Sequence, residues 1–261
     1  MRVAIIQFDI EWGKPLVNIH RVEKLISQND KADLYVLPEM WSTGFDVSSS
    51  DMIEEEQSSV SFNWMKQFSR ENKCAVCGSL AIKVSDGNCY NRNYFVTPDN
   101  IFYYDKHHLF TLGGENKFFS RGYEHTIVEW KGLRFLLQTC YDLRFPIWSR
   151  YGVAGEYDII IYVANWPSAR KQAWDILTKA RAIENQCYVI AVNRVGKDDT
   201  CTYEGGSVIV DPLGNELANV VANENELKNN TAESVVITDL CSENLNKLRA
   251  KFNVLNDRDS F

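Results

Sequence analysis

Three residues that can take part in catalysis stand where strand-like runs of the sequence end. Cys140 follows the apolar run 133–139 and precedes a segment typical of a helix start, where free backbone N–H groups favour the thiolate. Glu39 and Lys106 each follow a similar apolar run. Because the functional crevice of an α/β fold lies outside the carboxyl ends of its strands, we expect the thiol, carboxylate and ammonium to share one site.

The composition predicts a single domain and argues against nucleic-acid and membrane partners. The chain has 261 residues, of which 45% are hydrophobic, and no break in composition marks a linker, so we expect one domain over residues 1–261. A formal net charge of −7 without a basic cluster argues against nucleic-acid binding. No apolar run is long enough to cross a bilayer, and no signal peptide is evident. We therefore predict a cytoplasmic protein with no membrane partner.

The seven cysteines predict free thiols rather than a disulfide framework, because their number is odd and a reducing compartment is expected. Cys74 and Cys77 have C-x-x-C spacing, but they fall on a strand-like run, where a separation of three points the side chains to opposite faces. No second pair with zinc-site spacing follows. We predict no metal site and no cofactor.

Strand-like and helix-like segments alternate along the chain, as in layered α/β folds. Apolar residues at helical spacing predict helices from Pro15, over 60–72 and from about 171 to 186. Strand-like runs are more numerous, and they cover residues 3–8, 34–38, 75–82, 94–96, 101–104, 126–130, 133–139, 159–163, 188–192, 207–210 and 235–237. So many strands exceed one open sheet of ordinary size and predict two mixed sheets packed face to face, with helices outside.

The stretches around the three candidate residues resemble the carbon-nitrogen hydrolases of the nitrilase superfamily, whose members share a Glu-Lys-Cys triad in this chain order. The matching stretches are LPEM at 37–40, YDKHHLF at 104–110 and CYDLRFP at 140–146. Three more are similar to the omega-amidase branch and its bacterial YafV-type enzymes: EMWSTGF at 39–45, VANWP at 163–167 and ARAIENQ at 180–186. The resemblance runs from residue 2 almost to residue 261.

This resemblance implies a fold, a substrate class and an assembly. The fold it implies is a four-layer αββα sandwich, which agrees with the two predicted sheets. The activity it implies is hydrolysis of the terminal amide of 2-oxo-dicarboxylic acid monoamides, such as 2-oxoglutaramate and 2-oxosuccinamate. The family commonly forms homodimers, and we expect one here.

The triad can be interpreted in chemical terms. Attack on an amide needs a nucleophile, a group that carries a proton from the nucleophile to the departing ammonia, and a positive donor for the oxyanion. Cys140, Glu39 and Lys106 match these roles in turn, with a thioester as the intermediate. A buried ammonium keeps its charge only beside carboxylates, and Glu115 matches the family's additional acidic residue, so we expect it to hold Lys106.

The residues expected to bind substrate come from the same motifs. We assign the second oxyanion donor to the backbone N–H of Tyr141. Arg170 is the expected partner of the substrate carboxylate, because guanidinium binds carboxylates bidentately. Trp166 is either a pocket wall or a core tryptophan, and Phe45 and Met40 are expected to line the pocket. Arg144 is expected to brace the turn after the nucleophile.

Three alternatives remain open at the level of sequence. The first is a thiol protease or acyl transferase in which His107 or His108 serves as the base. The second is another member of the superfamily, an amidase, nitrilase or N-carbamoyl hydrolase, because these share the triad. The third is a scaffold that has lost its activity, although an idle site has no physical need for a buried ammonium between carboxylates.

Overall fold

The first of two sheets contains seven strands in the computed structural model, which describes residues 1–46, 52–221 and 233–259. In spatial order they are β14 (Ser234–Asp239), β1 (Arg2–Gln7), β2 (Leu34–Val36), β4 (Ala75–Lys83), β5 (Cys89–Val96) and β6 (Ile101–Asp105), with β3 (Glu54–Glu55) beside β4. Strands β1, β2 and β4 run parallel, whereas β14, β5 and β6 pair antiparallel with their neighbours. The sheet is therefore mixed, as predicted.

The second sheet also contains seven strands and is also mixed. Its order is β11 (Val195–Lys197), β12 (Thr202–Val210), β10 (Tyr188–Asn193), β9 (Ile159–Ala164), β8 (Leu133–Thr139) and β7 (Ile127–Trp130), with β13 (Glu216–Val221) beside β12. The central strands β8, β9 and β10 are parallel. Strand β9, with sequence IIIYVA, is fully buried, as expected of a parallel strand that is covered on both faces.

Four α-helices occur in the described residues: α1 (Pro15–Ser27), α2 (Val60–Asn72), α3 (Lys171–Glu184) and α4 (Ser242–Lys251). Helices α1 and α2 cover the outer face of the first sheet, and α3 covers that of the second. Alternation along the strands makes this possible, since Val3 and Ile5 enter the core between the sheets while Ala4 and Ile6 face α1 and α2. The four-layer αββα sandwich is confirmed.

The helix boundaries follow from local chemistry. Helix α2 begins after Ser59, whose hydroxyl accepts a 2.9 Å hydrogen bond from the Phe62 backbone N–H, and it ends before Lys73 in the left-handed conformation. Its predicted range of 60–72 is confirmed, whereas α3 ends two residues before the predicted position. Within the described part of the chain, no helix is long and apolar enough to cross a membrane.

Strand ends determine where the candidate site lies. Glu39 follows β2 and Lys106 follows β6 in the first sheet, and Cys140 and Asn165 follow β8 and β9 in the second. All four residues come after the carboxyl end of a strand, and hydrogen bonds or electrostatic contacts join them across the two sheets. The fold therefore brings four residues that are distant in sequence into one small volume between the layers.

Candidate active site

A buried ion cluster forms the floor of the candidate site. The Lys106 ammonium donates hydrogen bonds to Glu39 Oε1 at 2.8 Å and to Glu115 Oε2 at 2.8 Å. All three side chains are fully buried. Glu115 Oε2 also accepts a 2.6 Å hydrogen bond from the Phe110 backbone N–H, which anchors the 110–115 loop to the cluster. The cluster thus joins the end of β2, the end of β6 and the loop that follows β6.

The electrostatics of this floor depend on pairing. Burial alone would lower the pKa of Lys106, but the negative charges of Glu115 and Glu39 outweigh it and hold the pKa above its ordinary value. Lys106 is therefore charged near neutral pH. Burial, with a smaller contribution from Glu39, raises the pKa of Glu115, while Lys106 opposes that rise. Lys106 uses two of its N–H donors on carboxylates and keeps a third for another acceptor.

Two asparagines that were not predicted to have a role hold the carboxylates in place. Asn91, on β5, donates through Nδ2 to Glu39 at 2.7 Å and to Glu115 at 2.9 Å. Asn165 donates its backbone N–H to Glu39 Oε2 at 2.9 Å and its side-chain Nδ2 to the Glu39 carbonyl at 2.6 Å. Alternation in the CYNRNYFV segment would have indicated that Asn91 points inward, but only its last three residues were recognised as a strand.

Cys140 lies at the first position of a short 3₁₀ turn and adopts a left-handed backbone conformation, with φ of 43°. A non-glycine residue in this region stores strain, which is typical of nucleophiles that are held at sharp turns. Its thiol lies 3.9 Å from the Asn165 carbonyl oxygen and also interacts with the Glu39 carboxylate. The charges of Glu39 and Lys106 both act on the thiol, so the nucleophile lies beside the ion cluster.

The expectation that the turn favours a thiolate is wrong for the resting state. Burial and the neighbouring Glu39 charge raise the pKa of the Cys140 thiol well above its ordinary value, and Lys106 only partly offsets them. The turn is five residues long, so its backbone N–H groups provide little compensation for burial. At neutral pH the site thus holds a neutral thiol beside a carboxylate, and attack requires that the proton move.

A third buried carboxylate braces the turn that carries Cys140. Asp142 accepts hydrogen bonds from the Thr139 backbone N–H at 3.0 Å, the His108 backbone N–H at 3.0 Å and the Tyr104 hydroxyl at 2.7 Å. It also bonds the His108 ring at 2.8 Å. Because Asp142 is fully buried and its partners come from both sheets, it fixes the position of the turn relative to β6.

The two candidate histidines lie behind this turn. The His107 ring stacks on Trp148 with centroids 3.6 Å apart, and its Nδ1 donates to the Gly122 carbonyl at 2.7 Å. The His108 ring stacks on Phe145 at 3.7 Å. Both imidazoles are thus held by packing and by hydrogen bonds to groups other than the Cys140 thiol, which argues against a Cys-His pair.

Above the floor opens a cavity of about 540 Å³. Glu39, Lys106 and Cys140 lie at its base, and aromatic side chains form part of its walls. The residues that line it above the base include Trp12, Phe45, Phe110, Tyr141, Arg144, Trp166, Arg170 and Tyr203, together with the loop 198–201. Its size falls within the range of enzyme pockets that bind small organic molecules.

Most of the predicted pocket residues line this cavity. Tyr141, Trp166, Arg170 and Phe45 do so, and the Phe45 ring centroid lies 5.4 Å from Lys106 Nζ. Trp166 fits both expectations, since it is almost fully buried and still forms part of the wall.

Two predicted positions need correction. Met40 is fully buried in a separate cluster with Ala81 and Phe119 rather than on the cavity wall. Its backbone turns sharply there, with φ of 42°, and its N–H donates to the Ser79 hydroxyl at 2.9 Å, which directs the side chain away from the cavity. Arg144, which was expected only to brace a turn, lines the cavity with its guanidinium 5.1 Å from the centre of the Trp166 ring.

The chain was compared with known protein families and curated proteins. A family model described as carbon-nitrogen hydrolase matches residues 2–249. The chain is 38% identical to an omega-amidase of Yersinia enterocolitica, covering all of this chain and 98% of that protein. It is 36% identical to a 2-oxoglutaramate amidase of Bacillus subtilis, covering 83% of this chain and 85% of that protein.

Solved structures give the same result. A CN-hydrolase superfamily protein from Xanthomonas campestris, with an arsenic adduct in its active site, superimposes with a TM-score of 0.91 at 36% identity. That match covers all of this chain and 98% of the other. A nitrilase-superfamily protein from Saccharomyces cerevisiae superimposes with a TM-score of 0.83 at 21% identity, over 97% of this chain and 94% of the other, and supports the fold alone.

Proposed function

The chain belongs to the carbon-nitrogen hydrolase family, and from this premise we propose that it is an omega-amidase. The reaction is hydrolysis of the terminal amide of a 2-oxo-dicarboxylic acid monoamide, such as 2-oxoglutaramate or 2-oxosuccinamate, to the dicarboxylate and ammonia. The observation that carries the proposal is the buried Glu39–Lys106–Glu115 cluster, which lies beside Cys140 at the base of a cavity that also contains Arg170.

The first half of the proposed reaction forms a thioester. Glu39 takes the proton of the Cys140 thiol as sulfur attacks the amide carbon, because the thiol is neutral at rest and is influenced by the charge of that neighbouring carboxylate. The free N–H of Lys106 and the backbone N–H of Tyr141 bind the oxyanion. Glu39 then passes its proton to the amide nitrogen, and the carbon–nitrogen bond breaks to release ammonia.

The second half hydrolyses the thioester. Glu39, again a carboxylate, removes a proton from water as the water oxygen attacks the thioester carbon. The carbon–sulfur bond breaks, and the proton returns from Glu39 to the Cys140 sulfur. Water and amide are consumed, acid and ammonia are produced, and the protein is unchanged. Glu115 and Asn91 hold Lys106 and Glu39 throughout, since both are bound to the cluster before substrate arrives.

The proposal requires a partner for the substrate carboxylate, and Arg170 supplies one. Its guanidinium lies 5.1 Å from the centre of the Phe110 ring, and the residue forms part of the cavity lining. A carboxylate bound there leaves the amide at the other end of a short acid free to reach Cys140. Guanidinium suits this role because its fork matches the two carboxylate oxygens.

The activity can be tested by ammonia release from three substrates: 2-oxoglutaramate, a simple nitrile and an N-carbamoyl amino acid. We expect clear preference for the oxo-amide, measured as kcat/KM. Preference for the nitrile or the carbamoyl compound would assign the chain to another branch of the family. A covalent adduct on Cys140 after incubation with a thiol-reactive amide analogue, detected by mass spectrometry, would exclude an inactive scaffold.

We also propose that the enzyme is a homodimer. Exposed apolar side chains support an interface on the outer layer, with Ile176 and Ile183 on α3 and Leu213 and Leu217 on the adjoining β12–β13 connection and β13. Sedimentation velocity would test this, because a monomer at micromolar concentration would contradict it. A cytoplasmic location is proposed as well, since all seven cysteines are free thiols.

A further inference from the structure

Two guanidinium groups in the cavity have no acceptor among the described residues. Arg144 and Arg170 both line it, and both are half-buried. Within the described part of the chain, neither side chain donates a hydrogen bond or lies within ion-pair distance of a carboxylate. Each guanidinium lies over an aromatic ring instead. The Arg144 guanidinium is 5.1 Å from the centre of the Trp166 ring, and that of Arg170 is 5.1 Å from the centre of the Phe110 ring.

This arrangement contrasts with that of the buried arginines elsewhere in the chain. Arg92 is paired with Asp105 at 2.7 Å, and Arg194 is paired with Asp9 at 2.6 Å. An arginine that is removed from water without an acceptor costs free energy, so it is normally paired within the protein. The two cavity arginines are half-buried and have no such partner among the described residues, and they line a cavity in which a ligand can supply the acceptor.

Trp166 contacts both arginine residues. Its indole face is covered by the Arg144 guanidinium, and its Nε1 donates a 2.8 Å hydrogen bond to the backbone carbonyl of Arg170. The Trp166 backbone is in turn fixed by the Asn193 side chain, at 2.7 Å and 2.9 Å. The ring therefore supports the Arg144 guanidinium and holds the backbone from which the Arg170 side chain extends, which contributes to the preorganisation that selective recognition requires.

A carboxylate is matched by one bidentate guanidinium fork, which takes both of its oxygens. It binds a second guanidinium only by sharing an oxygen, as Asp158 does between Arg134 and Arg249. A further oxygen on the same ligand is therefore the better match for the second fork. In a 2-oxo acid the keto oxygen lies beside the carboxylate and provides that acceptor, whereas a plain acid offers a CH₂ group and a 2-amino acid offers a positive ammonium.

We propose that Arg144 binds the 2-oxo oxygen of the substrate, while Arg170 binds its carboxylate. This inference rests on the proposed omega-amidase function and names the residue that selects its substrate class. Arg144 stabilises the oxo-amide by a charge-assisted hydrogen bond and repels an ammonium at the same carbon. The site therefore accepts 2-oxo-dicarboxylic acid monoamides and discriminates against glutamine and asparagine.

The experiment compares two substrates that differ only at carbon 2. These are 2-oxoglutaramate and glutaramate, which has CH₂ in place of the keto group. Values of kcat/KM are measured for the wild type, Arg144→Gln and Arg170→Gln. An exposed arginine on α2, replaced as Arg70→Gln, is the matched control and should leave both values unchanged.

The expected result is a selective loss. Arg144→Gln should lower kcat/KM for 2-oxoglutaramate by roughly 10- to 100-fold and leave glutaramate within roughly threefold of the wild type, because only the oxo contact is lost. Arg170→Gln should lower both values by similar factors. Arg144→Lys, which keeps the charge but loses the fork, should give an intermediate loss for 2-oxoglutaramate alone.

Several outcomes would overturn the inference. Equal losses for both substrates in Arg144→Gln would mean that Arg144 binds the carboxylate or supports the turn. No loss for either substrate would mean that it binds neither group. A misfolded variant also loses both, and for that case the Arg144→Lys measurement decides.

Failure of the proposed function gives a different signature. A wild type that prefers a nitrile or an N-carbamoyl acid to 2-oxoglutaramate would reject the omega-amidase proposal itself. The other result is a wild type that prefers 2-oxoglutaramate to those compounds but hydrolyses glutaramate equally well. That result would leave the amidase proposal standing and would reject the role of Arg144.

Discussion

The charged side chains on the floor of the cavity are paired with one another, whereas those on its wall are not. On the floor, Lys106, Glu39 and Glu115 are fully buried and paired with one another, and Asn91 donates to both carboxylates. On the wall, Arg144 and Arg170 rest on aromatic rings, and none of the residues that the structure describes supplies an acceptor. The floor is complete before substrate arrives, and the wall is completed by the substrate.

This difference separates chemistry from selection. Groups that stabilise a transition state work best when they are already oriented, because reorientation during the reaction would cost free energy. Groups that select a ligand work best when a wrong ligand leaves them unpaired, since an unpaired buried donor is costly. The comparison predicts that changes on the floor lower the rate for every amide, whereas changes on the wall alter the ranking of amides.

The largest expected effect comes from breaking the floor. Glu39→Gln and Lys106→Ala should each reduce kcat for 2-oxoglutaramate by roughly 10⁴-fold, since one removes the proton carrier and the other the charged oxyanion donor. Lys106→Ala should also destabilise the fold by about 3 kcal/mol, because two buried carboxylates lose their counterion. Steady-state kinetics and denaturant unfolding measure the two effects.

The control for these variants is an exposed lysine close to Glu115. Lys117→Ala should leave both turnover and stability near the wild-type values, as the side chain is exposed. Retention of activity in Lys106→Ala, together with its loss in histidine variants, would show that the floor has been assigned to the wrong residues.

A smaller loss is expected at Asn91, which bridges the carboxylates without carrying charge. Asn91→Ala should lower kcat by roughly 100-fold with little change in KM, because both carboxylates lose a donor that orients them. The matched control is Asn93→Ala on the same strand, where the amide bonds the Gln138 carbonyl and the Cys77 thiol instead. Equal losses of kcat in the two variants would mean that Asn91 only supports the fold and does not orient the carboxylates.

The fold was predictable because its signals are periodic and local. Apolar spacing predicted α2 over 60–72 and β8 over 133–139, and both ranges are confirmed. The short strands β3 and β11, of two and three residues, escaped prediction because so few residues show no period. Their pairing is determined by the longer neighbours β4 and β12.

The site was predictable only in part, because its partners are distant in sequence. Strand ends and motif resemblance indicated Glu39, Lys106 and Cys140, and their proximity is seen in the structure. The role of Arg144 depends on the observation that no described carboxylate lies within ion-pair distance of it, which no sequence pattern displays. The protonation state of the resting thiol was mispredicted because burial, which the sequence does not display, raises the pKa of Cys140 more than the turn lowers it.

The charge of Glu39 also predicts that one variant will lose amide hydrolysis while its Cys140 thiol becomes more reactive. Glu39→Gln removes a negative charge and an acceptor that raise the pKa of Cys140, while Lys106 still lowers it. The variant should therefore be alkylated by iodoacetamide roughly tenfold faster at pH 7.5, although it no longer hydrolyses amides. Mass spectrometry of timed samples gives the rate. Slower alkylation would mean that Glu39 activates the thiol at rest as well as during attack.

The smallest effects are expected behind the floor, at the histidines. His107→Gln and His108→Asn should keep turnover within roughly tenfold of the wild type, whereas loss of a general base costs about 10²- to 10⁴-fold. Their rings pack on Trp148 and Phe145, so replacement should lower the melting temperature rather than remove chemistry. A loss as large as that of Glu39→Gln would support the Cys-His alternative.

Acid should reveal the structural role of His107. Burial lowers the pKa of His107 below its ordinary value of 6.5, so the unfolded chain takes up the proton at a higher pH than the folded chain does. The stability is therefore intact above pH 6.5 and is lost as the pH falls below it. Between pH 7.5 and 5.5 the melting temperature of the wild type should fall, and that of His107→Gln should fall less. Parallel decreases would mean that groups other than His107 carry the acid sensitivity.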